Sequence, residues 1–412
     1  MRYEKTELWP DMITYRRVTV YPAIFPRAQE IHLCGGPDWP DWDREPRARH
    51  YINGRPGDRR PAEKPPSKRV ADGPSHFWIG PIHQGFGHMV AEFGTRIAPT
   101  LKACPEAVLV FSDANGSGQR FEVVNALCEW YGIPEQRRII VTEPTEFATL
   151  NVVPQPEFLD DVALRGVSTL GPCSNYLSEL QRIAVKNLGT INHHRSVFVS
   201  RSHQDTRFCG EDYLDWVFSK AGFEVFYPER VPLREQIRTY AEAKTLVFSE
   251  GSAVHGAQLL GELGNVIVLA RRPGSLIVRK NLAARASRLR YIEGFRCVIT
   301  GYSFGEASNI IAEWEGISVL DVDQLLSSLN EEGIRVSEFW KQSDFEERER
   351  NDLRELMRKK ARHSIWLNPD SFYLWIEKAA SVRNSGCSGR GCLAHRWIRR
   401  GWLRSVSVAA CA

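Results

Sequence analysis

Short apolar runs alternate with longer amphipathic stretches along the middle of the chain, and this alternation predicts strands separated by helices. Strands are predicted at residues 76–80, 107–111 and 138–141, with helices at 86–97, 120–131 and 175–187. The first of these helices is expected to stop before Pro99. A more regular run follows, with strands at residues 196–200, 223–227, 245–248 and 266–270 and helices at 211–221, 233–243 and 257–263. The pattern is typical of an α/β fold with parallel strands.

The same pattern suggests where the chain divides. Residues 1–70 are poorly periodic and are expected to be an irregular amino-terminal segment with a loop rich in proline and arginine. A first α/β domain is predicted over residues 71–190 and a Rossmann-like domain over residues 191–300. A helical region, residues 301–380, and a basic tail, residues 381–412, follow.

Composition restricts the class of protein. The 412 residues are 42% hydrophobic and 25% charged, as in globular domains, and no apolar run approaches the roughly 20 residues that span a bilayer. The amino terminus has no apolar signal region, and nine scattered cysteines do not suggest a disulfide framework. We therefore expect a cytoplasmic protein.

The net charge of +4 is concentrated at one end of the chain. Residues 381–412 contain six arginines and no acidic residue, so the remainder carries 4 − 6 = −2. A near-neutral body gives nucleic-acid binding little electrostatic support. A helical wheel over residues 396–404 separates apolar from basic side chains, so the tail is either a peripheral contact with an anionic membrane surface or a disordered end.

A glycine-bearing turn at residues 251–256 is the strongest candidate for chemistry. It follows the predicted strand 245–248 and precedes the predicted helix 257–263, so His255 and Gly256 are expected at a helix start that favours an anion. The spacing of Gly251 and Gly256 is that of a P-loop, but Ala257 and Gln258 replace its lysine and hydroxyl residue. The turn is expected to bind a phosphate without NTPase chemistry, or else to be a packing feature.

Polar residues also follow the neighbouring strands. Arg201, Glu250 and His255 each come just after a predicted strand end. Ligands of open α/β sheets bind outside the carboxyl ends of the strands, so these side chains are expected to share one rim.

Three segments of the chain together resemble glycosyltransferase family 61. They are GFGHMVAEFGTR at residues 85–96, FVSRSHQDTRFCGEDY at 198–213 and PERVPLREQIRTYAEAKTLVFSEGSAVHGAQ at 228–258. The positions that match the motifs of the family are His88, Glu92, Arg201, Arg207, Glu211, Glu229, Gln236, Ala243, His255, Gly256 and Ala257.

The resemblance implies two Rossmann-like domains of the GT-B type, with the first facing the acceptor and the second binding the donor. It implies inverting, metal-independent transfer of a hexosyl or pentosyl group from a nucleotide-diphosphate sugar to a hydroxyl of a glycan or lipid-linked glycan, without a cofactor. A role in polysaccharide or glycoconjugate biosynthesis, at the inner face of a membrane, would suit it. Glu92 or His88 would act as base, and the predicted substrate-binding residues are Arg201, Arg207, Glu211, Gln236, Glu250, Gly251, His255, Gly256 and Ala257.

Two positions depart from the family pattern. Gly210 stands where the family usually has asparagine, and Leu269, followed by Ala270 and Arg271, stands where a strand-end glutamate is usual. These departures keep a second hypothesis open: a catalytically inactive member of the same fold that binds nucleotide sugars or serves as a scaffold.

Overall fold

The computed structural model describes residues 12–24, 33–52, 55–61, 64–73, 75–83, 85–113, 121–157, 172–299, 302–303, 315–360 and 364–365. The chain divides into two compact units, Met1–Thr300 with Ile310–Leu353, and Gly301–Asn309 with Arg354–Ala412. The predicted basic tail, residues 381–412, lies outside the described residues. Among the residues that are described, no helix is long and apolar enough to cross a membrane.

Strands and helices alternate through most of the first unit. The strands are β1 (Ile13–Ile24), β2 (Leu33–Pro37), β3 (Tyr51–Ile52), β4 (Arg55–Pro56), β5 (Asp58–Arg59), β6 (Arg69–Ala71), β7 (His76–Pro81), β8 (Val108–Ser112), β9 (Arg138–Val141), β10 (Thr145–Val152), β11 (Arg195–Val199), β12 (Glu224–Phe226), β13 (Ala243–Ser249), β14 (Leu263–Ala270), β15 (Ala286–Glu293), β16 (Phe295–Ile299), β17 (Tyr302–Ser303), β18 (Ile317–Leu320) and β19 (Ser364–Ile365). The α-helices are α1 (Phe86–His88), α2 (Ile97–Ala103), α3 (Phe121–Trp130), α4 (Ser174–Leu188), α5 (Glu211–Lys220), α6 (Leu233–Ala241), α7 (Arg279–Ala283), α8 (Val322–Glu331) and α9 (Gln342–Lys360). The predicted α/β class is confirmed.

The first large sheet has the order β5-β2-β1-β10-β7-β8-β9, with β6 also paired to β10. Strands β10, β7, β8 and β9 are parallel, whereas β1 runs antiparallel to β10. The expectation of an irregular segment before residue 70 missed β1 and β2. The reason is local: Arg17 has a left-handed φ of 52°, and the buried residues Tyr15, Val18 and Val20 do not alternate strictly across it.

The second large sheet is entirely parallel, with the order β12-β11-β13-β14-β15. In chain order this is 2-1-3-4-5, a doubly wound arrangement whose switch point lies between β11 and β13. From β11 the chain crosses to β12 on one side, and from β13 it crosses to β14 on the other. In open α/β sheets such a switch point forms a crevice at the carboxyl ends of the strands. Residues 200–201 and 250–251 follow those ends directly.

Two predicted helices take a different form. Residues 86–97 are not one helix, because α1 passes into a π-helical turn, Met89–Phe93, and Pro99 lies in the first turn of α2 instead of ending a helix. Residues 257–263 do not form the predicted α-helix: Ser252–Leu259 is a 3₁₀ helix and β14 begins at Leu263. The expected helix start at His255 and Gly256 is therefore wrong, because both residues lie inside the 3₁₀ segment.

The highly charged helix α9 is partly buried. Phe345 and Leu353 are each 1% exposed on it, and Asp352 binds Arg207 in the loop before α5. Gly210 in that loop has a φ of 72°, and a Cβ there would lie 3.0 Å from Phe345 Cε2 and 3.3 Å from Glu349 Cα. Close approach of α9 thus explains glycine instead of asparagine at this position.

A change of Glu349 to glutamine tests this packing. Burial raises the pKa of Glu349 to about 7 from 4.5, since Arg296 offsets it only partly and Glu346 adds a like charge. Because Glu349 binds its proton more tightly in the folded state, protonation favours folding below the unfolded pKa of 4.5. This contribution to the free energy of unfolding is lost as the pH rises through the folded pKa of about 7. We expect Glu349→Gln to be more stable than wild type at pH 8 by about 1–2 kcal/mol and to flatten the pH dependence of urea unfolding between about pH 5 and 8. Exposed Glu347 on the same helix is the matched control, and equal behaviour of Glu349→Gln and Glu347→Gln would contradict the prediction.

Candidate functional site

The crevice at the switch point contains an arginine that lies directly on a glycine. A Cβ built on Gly251 would lie 1.8 Å from Nη1 of Arg201 and 2.4 Å from its Cζ. Arg201 also donates from Nε to Thr206 O at 3.0 Å and from Nη2 to Thr206 Oγ1 at 2.8 Å, and it is 9% exposed. Any larger residue at position 251 would displace the guanidinium, so Gly251 serves to place Arg201 at the carboxyl ends of β11 and β13.

Glu211 anchors the loop that carries Arg201. Its carboxylate accepts the backbone N–H of Arg201 at 2.7 Å and that of Phe208 at 2.9 Å, and it is fully buried. Burial raises the pKa of Glu211, although these N–H groups and the Arg201 charge act in the opposite direction. The predicted binding residue Glu211 thus lies at the site but is occupied by the protein backbone.

Glu250, which directly follows β13, anchors the residues after β14 in a similar way. Its carboxylate accepts the backbone N–H of Arg271 at 2.7 Å, Nε of Arg272 at 2.8 Å and the hydroxyl of Ser275 at 2.6 Å. Burial alone would raise the pKa of Glu250, but the charges of Arg272 and Arg271 outweigh it and the pKa is lowered. The end of β14 lacks the usual glutamate in sequence, but Glu250, which follows the neighbouring strand β13, places a carboxylate there.

Arg271 is a candidate residue that the sequence reading passed over. Its Nε donates to Glu250 O at 2.7 Å, and the residue is only 4% exposed. No hydrogen-bond partner reaches its buried Nη1 within the described part of the chain. Burial and the nearby charge of Arg201 lower the pKa of Arg271 to about 10. Arg201 and Arg271 thus contact two consecutive residues, Gly251 and Glu250, and form a cationic pair. The signal available in the sequence was the pair of arginines, Arg271 and Arg272, just after a predicted strand.

Arg207 is engaged elsewhere. Its guanidinium forms a two-point ion pair with Asp352, and its Nη1 donates to Gln204 O at 2.5 Å. Asp352 Oδ2 also accepts the backbone N–H of Gly210 at 2.9 Å. The structure therefore gives Arg207 a place between α9 and the loop before α5, and it does not bring this side chain to the Arg201–Arg271 pair.

The 3₁₀ segment after Gly251 holds the other predicted residues. Gly256 lies against α6, where a Cβ would come within 2.8 Å of Gln236 Nε2, which donates to Tyr240 Oη at 3.0 Å. Ala257 is fully buried in the core. His255 is 6% exposed, and its Nδ1 lies 3.0 Å from Gln258 Oε1. Gln236, Gly256 and Ala257 thus shape the segment that carries His255.

His88 and Glu92 form a close pair on the π-helical turn, an element that recurs at functional sites. His88 Nδ1 lies 2.7 Å from Glu92 Oε2, and the side chains are 51% and 1% exposed respectively. Gly87 meets His255, since a Cβ at Gly87 would lie 2.5 Å from Cδ2 of that ring. The fold thus brings the His88–Glu92 turn of the first sheet against the His255 segment of the second.

The described residues hold no group of three or more His, Cys, Asp or Glu side chains arranged for a metal ion. The charged and titratable side chains described at the site are Arg201, Arg271, His88, Glu92 and His255. Glu92 is nearly inaccessible, so the ring of His88 is the member of the pair that is open to solvent.

A family model described as Glycosyltransferase 61 matches residues 86–262, a segment that contains His88, Glu92, Arg201 and His255. The match supports the resemblance to glycosyltransferase family 61 and implies glycosyltransferase activity, with a sugar donor and an acceptor in general. No curated protein matches the chain.

Proposed function

From the match of residues 86–262 to glycosyltransferase family 61, we propose that the chain is an inverting enzyme that moves a hexosyl or pentosyl group from a nucleotide-diphosphate sugar to a hydroxyl acceptor. The observation that carries the proposal is the Arg201–Arg271 pair at the switch point of the parallel sheet. Two buried guanidiniums beside one peptide segment suit a ligand with two adjacent phosphates. Within the GT-B arrangement that we propose, the second sheet binds the donor and the first faces the acceptor.

The leaving group determines what the arginines do. When the bond between the anomeric carbon and the diphosphate oxygen breaks, negative charge grows on that oxygen. Arg201 and Arg271 are held in place before the reaction by Thr206 and Glu250, so they stabilise this charge without reorganising. In this proposal the guanidiniums supply the positive charge and no metal is required.

On the acceptor side, the proposal assigns the base to the His88–Glu92 pair. The acceptor hydroxyl loses its proton to Nε2 of His88 as its oxygen attacks the anomeric carbon from the face opposite the diphosphate, which inverts the configuration. Buried Glu92, 2.7 Å from His88 Nδ1, orients the ring and stabilises the imidazolium that forms. In this proposal the exposed His88 accepts the proton, and the buried carboxylate of Glu92 supplies the negative charge that stabilises the imidazolium.

We expect His88→Ala to lower kcat by about 10²–10⁴ with little change in donor affinity, because general-base catalysis contributes on that scale. Glu92→Gln should lower kcat less, since it keeps the shape of the side chain and removes only the charge. Steady-state rates with donor titration separate kcat from donor binding. Full activity in both variants would remove the pair from the mechanism.

The acceptor and the setting belong to the same proposal. A glycan or lipid-linked glycan at the inner face of a membrane, in polysaccharide or glycoconjugate biosynthesis, suits a cytoplasmic enzyme of this class. The six arginines of residues 381–412 would supply a peripheral contact with anionic lipid. Vesicle flotation of the full chain and of a chain ending at Ser381 tests the contact.

A second candidate is a non-catalytic protein that binds nucleotide sugars. Leu269 at the end of β14, where the family usually has glutamate, favours it, as does the engagement of Arg207 by Asp352. Both hypotheses predict donor binding, and only turnover separates them.

A thermal-shift titration with nucleoside diphosphates and nucleotide sugars, without metal, tests the proposal. Ligand at about 100 times its Kd stabilises a protein by about 2.7 kcal/mol, which raises Tm by several degrees. We expect a shift for one nucleotide that is lost in Arg271→Met and weakened in His255→Ala. No shift with any nucleotide would overturn the donor site, and a shift without hydrolysis or transfer would favour the non-catalytic protein.

A further inference from the structure

A buried chain of polar side chains runs from His255 to an ion pair far from it in sequence. Gln258 Oε1 lies 3.0 Å from His255 Nδ1, and Gln258 Nε2 lies 3.5 Å from Glu157 Oε1. His255, Gln258 and Glu157 are 6%, 2% and 1% exposed. Glu157 follows β10 of the first sheet and lies outside every motif that pointed to the site.

Glu157 is fixed as an acceptor at the other end of this chain. Arg285 Nη2 lies 2.8 Å from both of its carboxylate oxygens, and Asn281 Nδ2 donates to Oε2 at 3.0 Å. Arg285 in turn donates to the backbone carbonyls of Leu260 at 2.8 Å and Asn281 at 2.7 Å. An ionised carboxylate held in this way accepts hydrogen bonds and donates none.

This constraint decides the orientation of the amide between the two groups. If Gln258 were turned over, its carbonyl oxygen would face a carboxylate oxygen and its NH₂ would face His255. With the amide N–H directed at Glu157, the carbonyl oxygen faces His255 Nδ1 and requires a proton there. In the neutral ring the lone pair then lies on Nε2.

We propose that Glu157, acting through Gln258, is a positioning residue that holds neutral His255 in the tautomer with the proton on Nδ1 and the lone pair on Nε2. The Cδ2–Nε2 edge of the ring faces Gly87, beside the turn that carries His88. Toward a substrate, His255 would therefore accept a hydrogen bond from a hydroxyl of the ribose or the transferred sugar, which leaves the phosphates to Arg201 and Arg271. The role toward a substrate rests on the proposed function, whereas the tautomer does not.

Long-range ¹⁵N–¹H correlation spectra of histidine-labelled protein, recorded without nucleotide, read the tautomer directly. His255→Asn identifies the signals of this ring among the 11 histidines. At a pH where the ring is neutral, we expect the wild type to show a protonated Nδ1 and an unprotonated Nε2. Gln258→Met removes the acceptor while keeping the Glu157–Arg285 pair and the side-chain length, and it should move the proton to Nε2.

Glu157→Gln is the second variant, and it should mix the two tautomers because its amide either donates or accepts. If this variant does not fold, Gln258→Met alone carries the test. Exposed His194, whose Nδ1 contacts Asn192 O, is the control and should not change. A protonated Nε2 in the wild type, or an unchanged tautomer in Gln258→Met, would overturn the proposal. Because these spectra need no donor, failure of the proposed function would appear in the nucleotide titration and leave them unaffected.

Discussion

Replacing Arg201 by methionine is expected to lower kcat/KM by about 10²–10³ if the enzyme works as proposed. Arg201 is almost buried, is held by Thr206 and packs on Gly251. In the proposed function this fixed guanidinium would meet the charge on the departing diphosphate without reorganising. Methionine keeps much of the length and removes the charge. The loss should appear mainly in kcat, because the charge of the leaving group is greater in the transition state than in the bound donor.

A matched variant, Gly251→Ala, moves the guanidinium of Arg201 while keeping its charge. Gly251→Ala introduces a Cβ that would lie 1.8 Å from Arg201 Nη1, so the guanidinium must move. We expect Gly251→Ala to lose activity to a similar extent as Arg201→Met, and Arg271→Met to lose donor affinity as well. Arg272→Met, which removes the contact with Glu250 on the more exposed side, should retain most donor binding. Equal kcat/KM in wild type and Arg201→Met would contradict the role given to Arg201.

The largest effect on stability is expected from replacing Arg285 by methionine. Arg285 and Glu157 have side-chain exposures of 0% and 1%, so the substitution leaves a buried carboxylate without its cation. Breaking a buried pair from one side typically costs about 3–5 kcal/mol. Arg285 also donates to three backbone carbonyls, those of Leu260, Asn281 and Gln258, which lose this donor at the same time. Urea unfolding of the purified protein measures the change in the free energy of unfolding.

The double variant Glu157→Leu with Arg285→Met is the control for this prediction. Replacing both members of a buried pair by apolar groups is often close to neutral, since no uncompensated charge remains. We expect the double variant to recover much of the stability lost by Arg285→Met, while His255 loses its fixed tautomer. A loss below about 1 kcal/mol for Arg285→Met would show that the pair is not the anchor its burial implies.

The second sheet was largely readable from sequence. Strands β11, β13 and β14 are short, apolar and bounded by glycine or polar residues, and each of these signals is local. Because parallel strands place their carboxyl ends at one rim, the positions of Arg201, Glu250 and His255 along the chain predicted a shared edge of the sheet.

Other parts of the site depended on contacts between distant residues. The predicted helix at residues 257–263 is wrong, because Ser252–Leu259 is a 3₁₀ helix and β14 begins at Leu263. The glycines that follow serve close packing against distant residues: a Cβ would lie 2.1 Å from Leu177 O at Gly261 and 2.4 Å from Ala243 O at Gly264. The pairing of Arg207 with Asp352 spans 145 residues, so no local pattern announces it. Strand β1 likewise owes its place to β10, more than a hundred residues away.

The sequence by itself therefore determined the α/β class, the parallel strands of the second sheet and the rim at which Arg201 and His255 emerge, because hydrophobic period and strand direction are properties of neighbouring residues. Only the tertiary structure decided which charged groups are bound by other groups of the protein and which face the crevice. Glu211, Glu250 and Arg207 are occupied by backbone amides or ion pairs, whereas Arg271 keeps a buried donor atom without a hydrogen-bond partner among the described residues. The physical reason is that a buried polar group is satisfied by whatever partner folding brings to it, and that partner is set by packing rather than by distance along the chain.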